Sequence, residues 1–457
     1  MFEKILIANR GEIAVRVIQA CRDLGVRTVA VHVPGEETSL HVTMADEVIS
    51  LPDRKDYLNV ARLIEATLES NANALHPGYG FLSENPDFAQ ACVDAGVIFI
   101  GPSAEAISKM GVKAGARQMA LDAGVEVLPG TGTHGVIDDP IELAKRVGFP
   151  VLVKASYGGG GRGIRVAYTD AELLDALAAG AREAQMAFAN GEVYIEKFLE
   201  TPRHVEVQVL CDTHGNRVAL GERECSIQRR RQKLIEEGPS PGIDAELRQR
   251  LNQAAVRVAE AIGYVGAGTV EFLVDAGRFY FMEMNTRIQV EHGVTELLTG
   301  VDLVSEQIRI AAGLPMDLRP RQGRSEGWAI ECRIVAEDPA RQFRPSPGQI
   351  THLHVPHGPW VRWDSYLYSG AKVSAMFDSL VGKLLAWGRD RQEAIARMKR
   401  ALNELRIDGI TTTIPLMRVV MDDPVFVAGG TSVRYLEDRL DTLLSSLAQT
   451  TSMETVK

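Results

Sequence analysis

At 457 residues with 45% hydrophobic content, the chain is long enough for two to four domains with real cores. Its formal net charge of −10 argues against nucleic acid or an anionic membrane as the general partner, so any anion must be held by a local concentration of base. Five cysteines without paired spacing, a start without an apolar signal core and the lack of any apolar run near ~18 residues predict a soluble, reduced, cytoplasmic protein.

Residues 1–112 read as alternating strands and helices. "KILIANR" is a strand, the next segment is a helix with Ile13, Val17, Cys21 and Leu24 on one face, and "TVAVHVP" and "VIFIGPS" are further strands. The pattern predicts a Rossmann-like parallel sheet, although Gly11 alone makes no dinucleotide fingerprint. Asn85-Pro86 fits the cap and first residue of a helix. That puts the loop "HPGYGFLSEN" at a strand's carboxyl end, where open α/β sheets place ligands.

Residues 113–315 make a second unit, with a small lobe over 131–203 that reads as a lid. In it, "KASYGGGGRGI" sets Gly158, Gly160 and Gly163 in the G-x-G-x-x-G spacing. The strand-like "IRVAY" follows instead of a helix, and no Gly-Lys-Ser/Thr closes the loop, so neither a dinucleotide fingerprint nor a Walker loop fits. Two readings remain: a plain flexible hairpin, or a tip whose backbone N–H groups close over an anion with Arg162 adding charge. A helix opened by the Thr169/Glu172 capping-box spacing and the strand "VYIEKFLE" complete the lobe. After "GLPMDLRPRQGRSEG", the strands "WAIECRIVAED" and "LVGKLLAWG" and the helix "RQEAIARMKRALNEL" form a third unit over 330–446, followed by a polar tail, 447–457.

Chemistry-bearing residues concentrate in "GTVEFLVDAGRFYFMEMNTRIQVEHGVTE". Asp275-Ala276-Gly277 is a turn signal, and the resulting hairpin brings Glu271 close to facing Glu283. Two carboxylates so placed need a cation or proton between them, and Asn285 adds a neutral oxygen, a hard-ligand set suited to Mg²⁺. Solvated acids at a sheet edge are the plainer reading. Against it, Glu283, Asn285, Arg287, Gln289 and Glu291 occupy every second position, so an extended backbone aims all five to one side. Arg287 can then grip a planar oxyanion, Gln289 donate to it and Glu291 act as a base at its far end. A second basic cluster, "CSIQRRRQKLIEE", offers Gln228, Arg231 and Lys233 and stands out in an acidic chain.

Lys113, Lys154 with "GGGGRG", "YIEKFLE", "PRHVEVQVL", "CSIQRRRQK", "EFLV" with "FMEMNTRIQVEH", and "ECRIVAEDP" occur in order behind "ILIANRGEIAVRVI" and "HPGYGFLSEN". Over residues 2–446 the chain resembles biotin carboxylase of the ATP-grasp superfamily. The resemblance implies an α/β and α+β multidomain fold: a Rossmann-like N-terminal domain, a central ATP-grasp domain with a mobile lid, and a C-terminal biotin carboxylase domain. It implies a reaction in which ATP phosphorylates bicarbonate to carboxyphosphate, which delivers CO₂ to N1′ of biotin. By position, nucleotide contacts fall on Lys113 and Lys154, on Gly160 and Gly161 in the lid, on Glu196, Lys197, Phe198 and Leu199, and on His204, Gln228 and Arg231. Ligands for Mg²⁺ or Mn²⁺ fall on Glu271, Glu283 and Asn285, and bicarbonate on Lys233, Arg287, Gln289 and Val290. The base falls on Glu291 and the group facing the biotin enolate on Arg333. Biotin is expected on a separate biotin carboxyl carrier protein, with carboxyltransferase subunits acting on an acyl-CoA, acetyl-CoA first among them, and the chain is expected to form a homodimer.

The chain departs from that family's pattern at Arg231 (usually His), Gly293 (usually Pro), Val335 (usually Asn), Val112 (usually Asp) and Tyr157 (usually Gly). These departures bear on nucleotide affinity and turnover rather than on reaction class. Another ATP-grasp ligase acting on a different carboxylate, and a non-catalytic paralogue that binds nucleotide or carrier, stay open as alternatives. Other candidates read as structural. His352, His354 and His357 alternate along a strand with no acid or cysteine beside them, and Cys225 reads as small filler beside the site. Lys399 follows Met398 in a helix whose apolar face carries Ile395, Met398, Leu402 and Leu405, so it reads as a solvated charge and not as a biotin-acceptor lysine.

Overall fold

The computed structural model describes the chain except residues 132–138, 156–163, 189, 319–326 and 455–457. Its first sheet is built on β1 (Lys4–Ile7), a strand buried along its whole length, as expected of a strand covered on both faces. β2 (Arg27–His32), β3 (Glu47–Ser50), β4 (Ala74–His76) and β5 (Ile98–Phe99) join it in the order β3-β2-β1-β4-β5, all parallel. Helix α1 (Gly11–Asp23) buries Ile13, Val17 and Cys21 against this sheet. The run "VIFIGPS" is strand only over Ile98–Phe99, and the chain then turns into Gly101-Pro102, where proline has no N–H for a ladder.

Strand order reverses between β1 and β4, and open α/β sheets bind ligands at such a crevice. The two loops flanking it are tied together: Asn9 Nδ2 donates to the Pro77 and Tyr79 carbonyls, each at 2.7 Å. The second loop ends where Asn85 caps α2 (Pro86–Asp94), its side chain accepting from Phe88 N at 2.8 Å.

The lid lobe carries a three-stranded sheet, with β6 (Val151–Ala155) between β7 (Arg165–Ala167) and β8 (Val193–Lys197). Its helix, Asp170–Phe188, opens on the expected capping pair: Thr169 Oγ1 accepts from Glu172 N, and Glu172 Oε2 accepts from Tyr168 N. Leu143, Val151, Val153, Leu173 and Ile195 form the lobe's own small core. Gly158, Gly160, Gly161, Arg162, Gly163 and Tyr157 lie outside the described residues.

The central sheet has eight strands. β9 (Arg203–Cys211), β10 (Arg217–Arg229), β11 (Gln232–Gly238), β12 (Gly266–Asp275) and β13 (Arg278–Asn285) come from the second unit. β14 (Trp328–Val335), β15 (Val361–Ser365) and β16 (Leu380–Gly388) come from the third. The order is β13-β12-β9-β10-β11-β14-β16-β15, with every pairing antiparallel. The change of pattern near residue 315 therefore marks no break in the sheet, because β11 pairs directly with β14. The helix Arg391–Glu404 covers the third unit with Ile395, Met398 and Leu402 inward and Leu405 buried at its C-cap, and Met398 and Leu402 are fully buried, about 1.5–3 kcal/mol each. Lys399 on its other face pairs with Asp422. All five cysteines are free and buried, and among the described residues no helix is long and apolar enough to cross a membrane.

Candidate active site

Ala276 and Gly277, at φ 47° and 75°, make the two-residue turn between β12 and β13, a geometry whose twist matches a hairpin. It places Glu283 directly opposite Glu271 and Asn285 opposite Thr269. The row continues across the sheet, since Glu271 faces Glu206 on β9 and Glu206 faces Arg223 on β10. Three acids abreast would repel one another without cations between them.

The cation is Lys233. It lies on β11 opposite Gln228 of β10 and sends Nζ to Glu206 Oε2 at 2.6 Å, Glu271 Oε1 at 2.9 Å and Glu291 Oε1 at 2.7 Å. Burial disfavours its charge, but the three carboxylates outweigh that and hold the ammonium well above its ordinary value. Arg223 closes the far end of the row, donating to Glu206, Gln208, Thr269 and Thr295 from a fully buried position. Burial likewise opposes ionisation of Glu271 and Glu291, yet Lys233 with His204 on the first, and Lys233 with Arg333 on the second, hold both well below the usual carboxylate range. The groups His204–Glu206–Glu271 and Glu206–Cys225–Glu291 are close enough to share an ion, but the Lys233 ammonium already pairs with every acid in them. Burial pushes the Cys225 thiol up as well, which suits filler and not a ligand.

The strand does not run on through residue 291. β13 ends at Asn285, and 286–291 fold into bends and a turn, correcting the extended reading. The cause is Glu84, at the end of the "HPGYGFLSEN" loop, whose carboxylate accepts from Thr286 N at 3.1 Å and Arg287 Nε at 2.9 Å. The alternate residues still converge, through side-chain bonds. Arg287 donates to Asn285 Oδ1 and Gln289 Oε1, while Asn285 Nδ2 and Gln289 Nε2 both donate to Glu271 Oε1. Glu291 then sits at the N-cap of a helix, His292–Thr299, without making a cap bond, because Lys233 and Arg333 take its two oxygens. Arg333 Nη2 reaches Glu291 Oε2 at 2.9 Å and its Nε reaches Glu236 Oε1 at 2.6 Å. Arginine and proposed base are thus a direct ion pair despite 42 residues of separation.

The remaining expected positions divide. Lys154 and Arg117 both pair with Glu196 at the lid's base, and Lys113 Nζ lies 3.6 Å from Glu283. Lys197 spends its ammonium on the Gly148 and Phe149 carbonyls, and Phe198 donates its N–H to Pro150, so these two brace the lid strand; Leu199 follows them. Gln228 bonds His204 Nδ1 at 2.7 Å, and His204 Nε2 lies 3.0 Å from Glu271, which joins both to the acid row. Arg231 is set apart at the exposed two-residue turn between β10 and β11, at φ 68°, with the Glu437 charge nearby. Gly293 occupies the first turn of the helix after Glu291, where a Cβ would lie 2.6 Å from Leu385 Cδ2. Val112 stands at the N-cap of the helix Lys113–Asp122 with no side-chain bond, and Val335 ends β14 inside the apolar core.

Glu206, Arg223, Glu236 and Glu84 belong to the site and were not singled out by sequence. A signal for Glu206 existed in "HVEVQV", where His204, Glu206 and Gln208 alternate with three valines inside a strand. Glu84 lies in the "HPGYGFLSEN" loop, but nothing in the sequence pairs it with Arg287, 203 residues away.

A Rossmann-like domain, an antiparallel sheet with a separate three-stranded lobe, and a buried acid–lysine–arginine row define an ATP-dependent ligase of the ATP-grasp class. Residues 113–319 match the family model of the carbamoyl-phosphate synthase L chain ATP binding domain, residues 1–107 the biotin carboxylase N-terminal domain, and residues 331–438 the biotin carboxylase C-terminal domain. Biotin carboxylase 1 of Bacillus subtilis is 51% identical over 443 residues, 96% of this chain and 98% of that protein. A biotin carboxylase from Campylobacter jejuni, solved as a β,γ-ATP complex, superposes with a TM-score of 0.92 at 44% identity, covering 96% of this chain and 99% of that one. The biotin carboxylase domain of Hydrogenobacter thermophilus 2-oxoglutarate carboxylase, a dimer with MgADP, ADP and bicarbonate, gives 0.91 at 46%, covering 97% and 99%. The chain belongs to the biotin carboxylase family and is an enzyme of that family.

Proposed function

We propose that the protein uses ATP and bicarbonate to carboxylate N1′ of biotin presented on a carrier protein, the first half-reaction of an acyl-CoA carboxylase acting on acetyl-CoA. The observation that carries this is the convergence of Lys233, Arg287 and Gln289 beside Glu291, with Glu291 bridging to Arg333. The first three supply donors for bicarbonate, Glu291 a carboxylate to take its proton, and Arg333 a fixed cation for the oxygen of biotin as N1′ loses its own proton. Lys154 at the lid's base and Lys113 beside Glu283 are partners for the ATP phosphates, and the lid excludes water from the carboxyphosphate.

The donor set also fits a divalent metal. Glu271 and Glu283 face each other in register, a placement that sets Cβ atoms about 4.5–5.5 Å apart, and the side-chain exposure rises from 6% at Glu271 to 40% at Glu283. Glu271, Glu283 and Asn285 would hold Mg²⁺ or Mn²⁺, which when bound neutralises the charge of the transferring phosphoryl group. The family relatives that match over nearly their whole length support a subunit that meets carrier and carboxyltransferase partners, in a homodimer. Five buried free cysteines fit a cytoplasmic enzyme.

The test is ADP release from ATP with bicarbonate, with and without free biotin. Biotin-stimulated release supports the reading, release driven only by another carboxylate points to a different ligase, and nucleotide binding without release points to a non-catalytic paralogue. Reconstitution with a biotinylated carrier and carboxyltransferase, offered acetyl-CoA, propionyl-CoA or pyruvate in turn, tests the acceptor.

A further inference from the structure

Lys383 lies on β16, inside "LVGKLLAWG", and is fully buried with its whole side chain. Facing residues of antiparallel strands project to the same side, and Lys383 faces Arg333 on β14 and Asp364 on β15. The two cations therefore stand side by side beneath one stretch of chain. Arg333 takes the carboxylate of Glu291, and Lys383 Nζ donates at 2.8 Å to the carbonyl of Val290, the peptide that leads into Glu291. Behind it, Glu12 Oε1 lies 3.2 Å from Nζ and accepts from Tyr79 Oη at 2.5 Å, and Asp364 Oδ2 lies 3.7 Å away. Lys383 thus joins all three units at one point: α1 through Glu12, the catalytic loop through Val290, and its own strand.

A buried ammonium without function would be replaced at little cost by an apolar residue. This one is aimed at the one carbonyl whose rotation would swing the proposed base. We infer that Lys383 is a positioning residue, which holds the Val290–Glu291 peptide so that Gln289, Val290 and Glu291 present one preformed surface to bicarbonate. The inference rests on the proposed reading of that loop as the bicarbonate site. Positional slack of about 1 Å at a reacting group costs on the order of 100-fold in rate.

The experiment compares Lys383→Met, which loses charge and donor at similar length, with Lys383→Gln, which keeps a donor. Because methionine leaves Glu12 without its partner, Glu12→Gln/Lys383→Met removes both groups together; Asp364 keeps its two bonds to Arg362, and burial with the neighbouring Glu236 charge already raises the Glu331 carboxyl well above the usual range. For each folded variant, ADP release is measured against ATP and against bicarbonate separately. The expected result is a bicarbonate KM raised about 10-fold or more and kcat lowered about 10- to 100-fold, with the ATP KM within about twofold of the parent and Lys383→Gln between parent and Lys383→Met. A purely structural lysine would lower active enzyme while leaving both KM values alone. Unchanged bicarbonate KM in Lys383→Met or in the double variant overturns the inference. The underlying reading fails separately, and visibly, if the parent enzyme itself shows no bicarbonate-dependent ADP release.

Discussion

Arg333→Gln probes the join between the two halves of the proposed reaction. Arg333 bonds Glu236 at 2.6 Å and Glu291 at 2.9 Å, and at an effective dielectric of about 20 each contact is worth about 6 kcal/mol before desolvation. Removing one partner of such a buried set costs about 3–5 kcal/mol net, because the acids stay behind. Burial already pushes Glu236 up to about 7 with Arg333 in place, and without it Glu236 rises further. An acid whose folded pKa exceeds its unfolded one binds its proton more tightly when folded, so it loses stability as pH rises between the two values. In the variant that window extends above 7, and the destabilisation measured by urea unfolding should be larger at pH 8 than at pH 6. Glu291 also loses one of its two cations, so the acid limb of bicarbonate-dependent ATP cleavage should move to higher pH. Biotin carboxylation should fall about 100-fold, as for loss of an oxyanion donor, while slow biotin-independent cleavage remains. Cleavage abolished as fully as by Glu291→Gln, or a destabilisation equal at both pH values, would refute the assignment.

Glu283→Gln keeps the side chain's size but removes a charge from the proposed metal set; the fold should persist, turnover should drop at least about 100-fold, and titration with Mg²⁺ should show a raised requirement. Equal activity at every Mg²⁺ concentration would take Glu283 out of the metal set. Gly293→Pro restores the family's residue but drives a Cβ to 2.6 Å from Leu385 Cδ2, so denaturant unfolding should show a loss of about 1–3 kcal/mol. Val112→Asp gives the helix Lys113–Asp122 the cap it lacks and should add about 1 kcal/mol in the same assay.

Local chemistry was legible where one element decided it. The Asp275-Ala276-Gly277 turn set the register that pairs Glu271 with Glu283, and Asn85-Pro86 placed its helix and the loop before it. Alternation from Glu283 to Glu291 picked out residues that converge, but not for the reason of an extended strand: the backbone stops being a strand at Asn285, and side-chain bonds between Asn285, Arg287 and Gln289 draw the set together instead. What stayed hidden needed distant elements. Glu84 bends the loop from another unit, and Lys383 and Glu236 look in sequence like ordinary strand charges until β11, β14 and β16 are laid side by side. Lys197 and Phe198, assigned to the nucleotide by position, are tied by their side chain or N–H to residues 148–150 of the lid.

The charge balance of the row constrains how the proposed base works. Lys233 serves Glu206, Glu271 and Glu291 at once, and Arg333 serves Glu236 and Glu291. Held by two cations, Glu291 stays ionised but is a poor proton acceptor. On the proposed assignment, bicarbonate would bring a new anion to Lys233 and Arg287, and every bond it took from Lys233 would loosen the hold on Glu291 and raise its basicity. Biotin at Arg333 would do the same from the other side. The proposed base would then strengthen as each substrate claimed a cation, which would couple proton removal to occupancy.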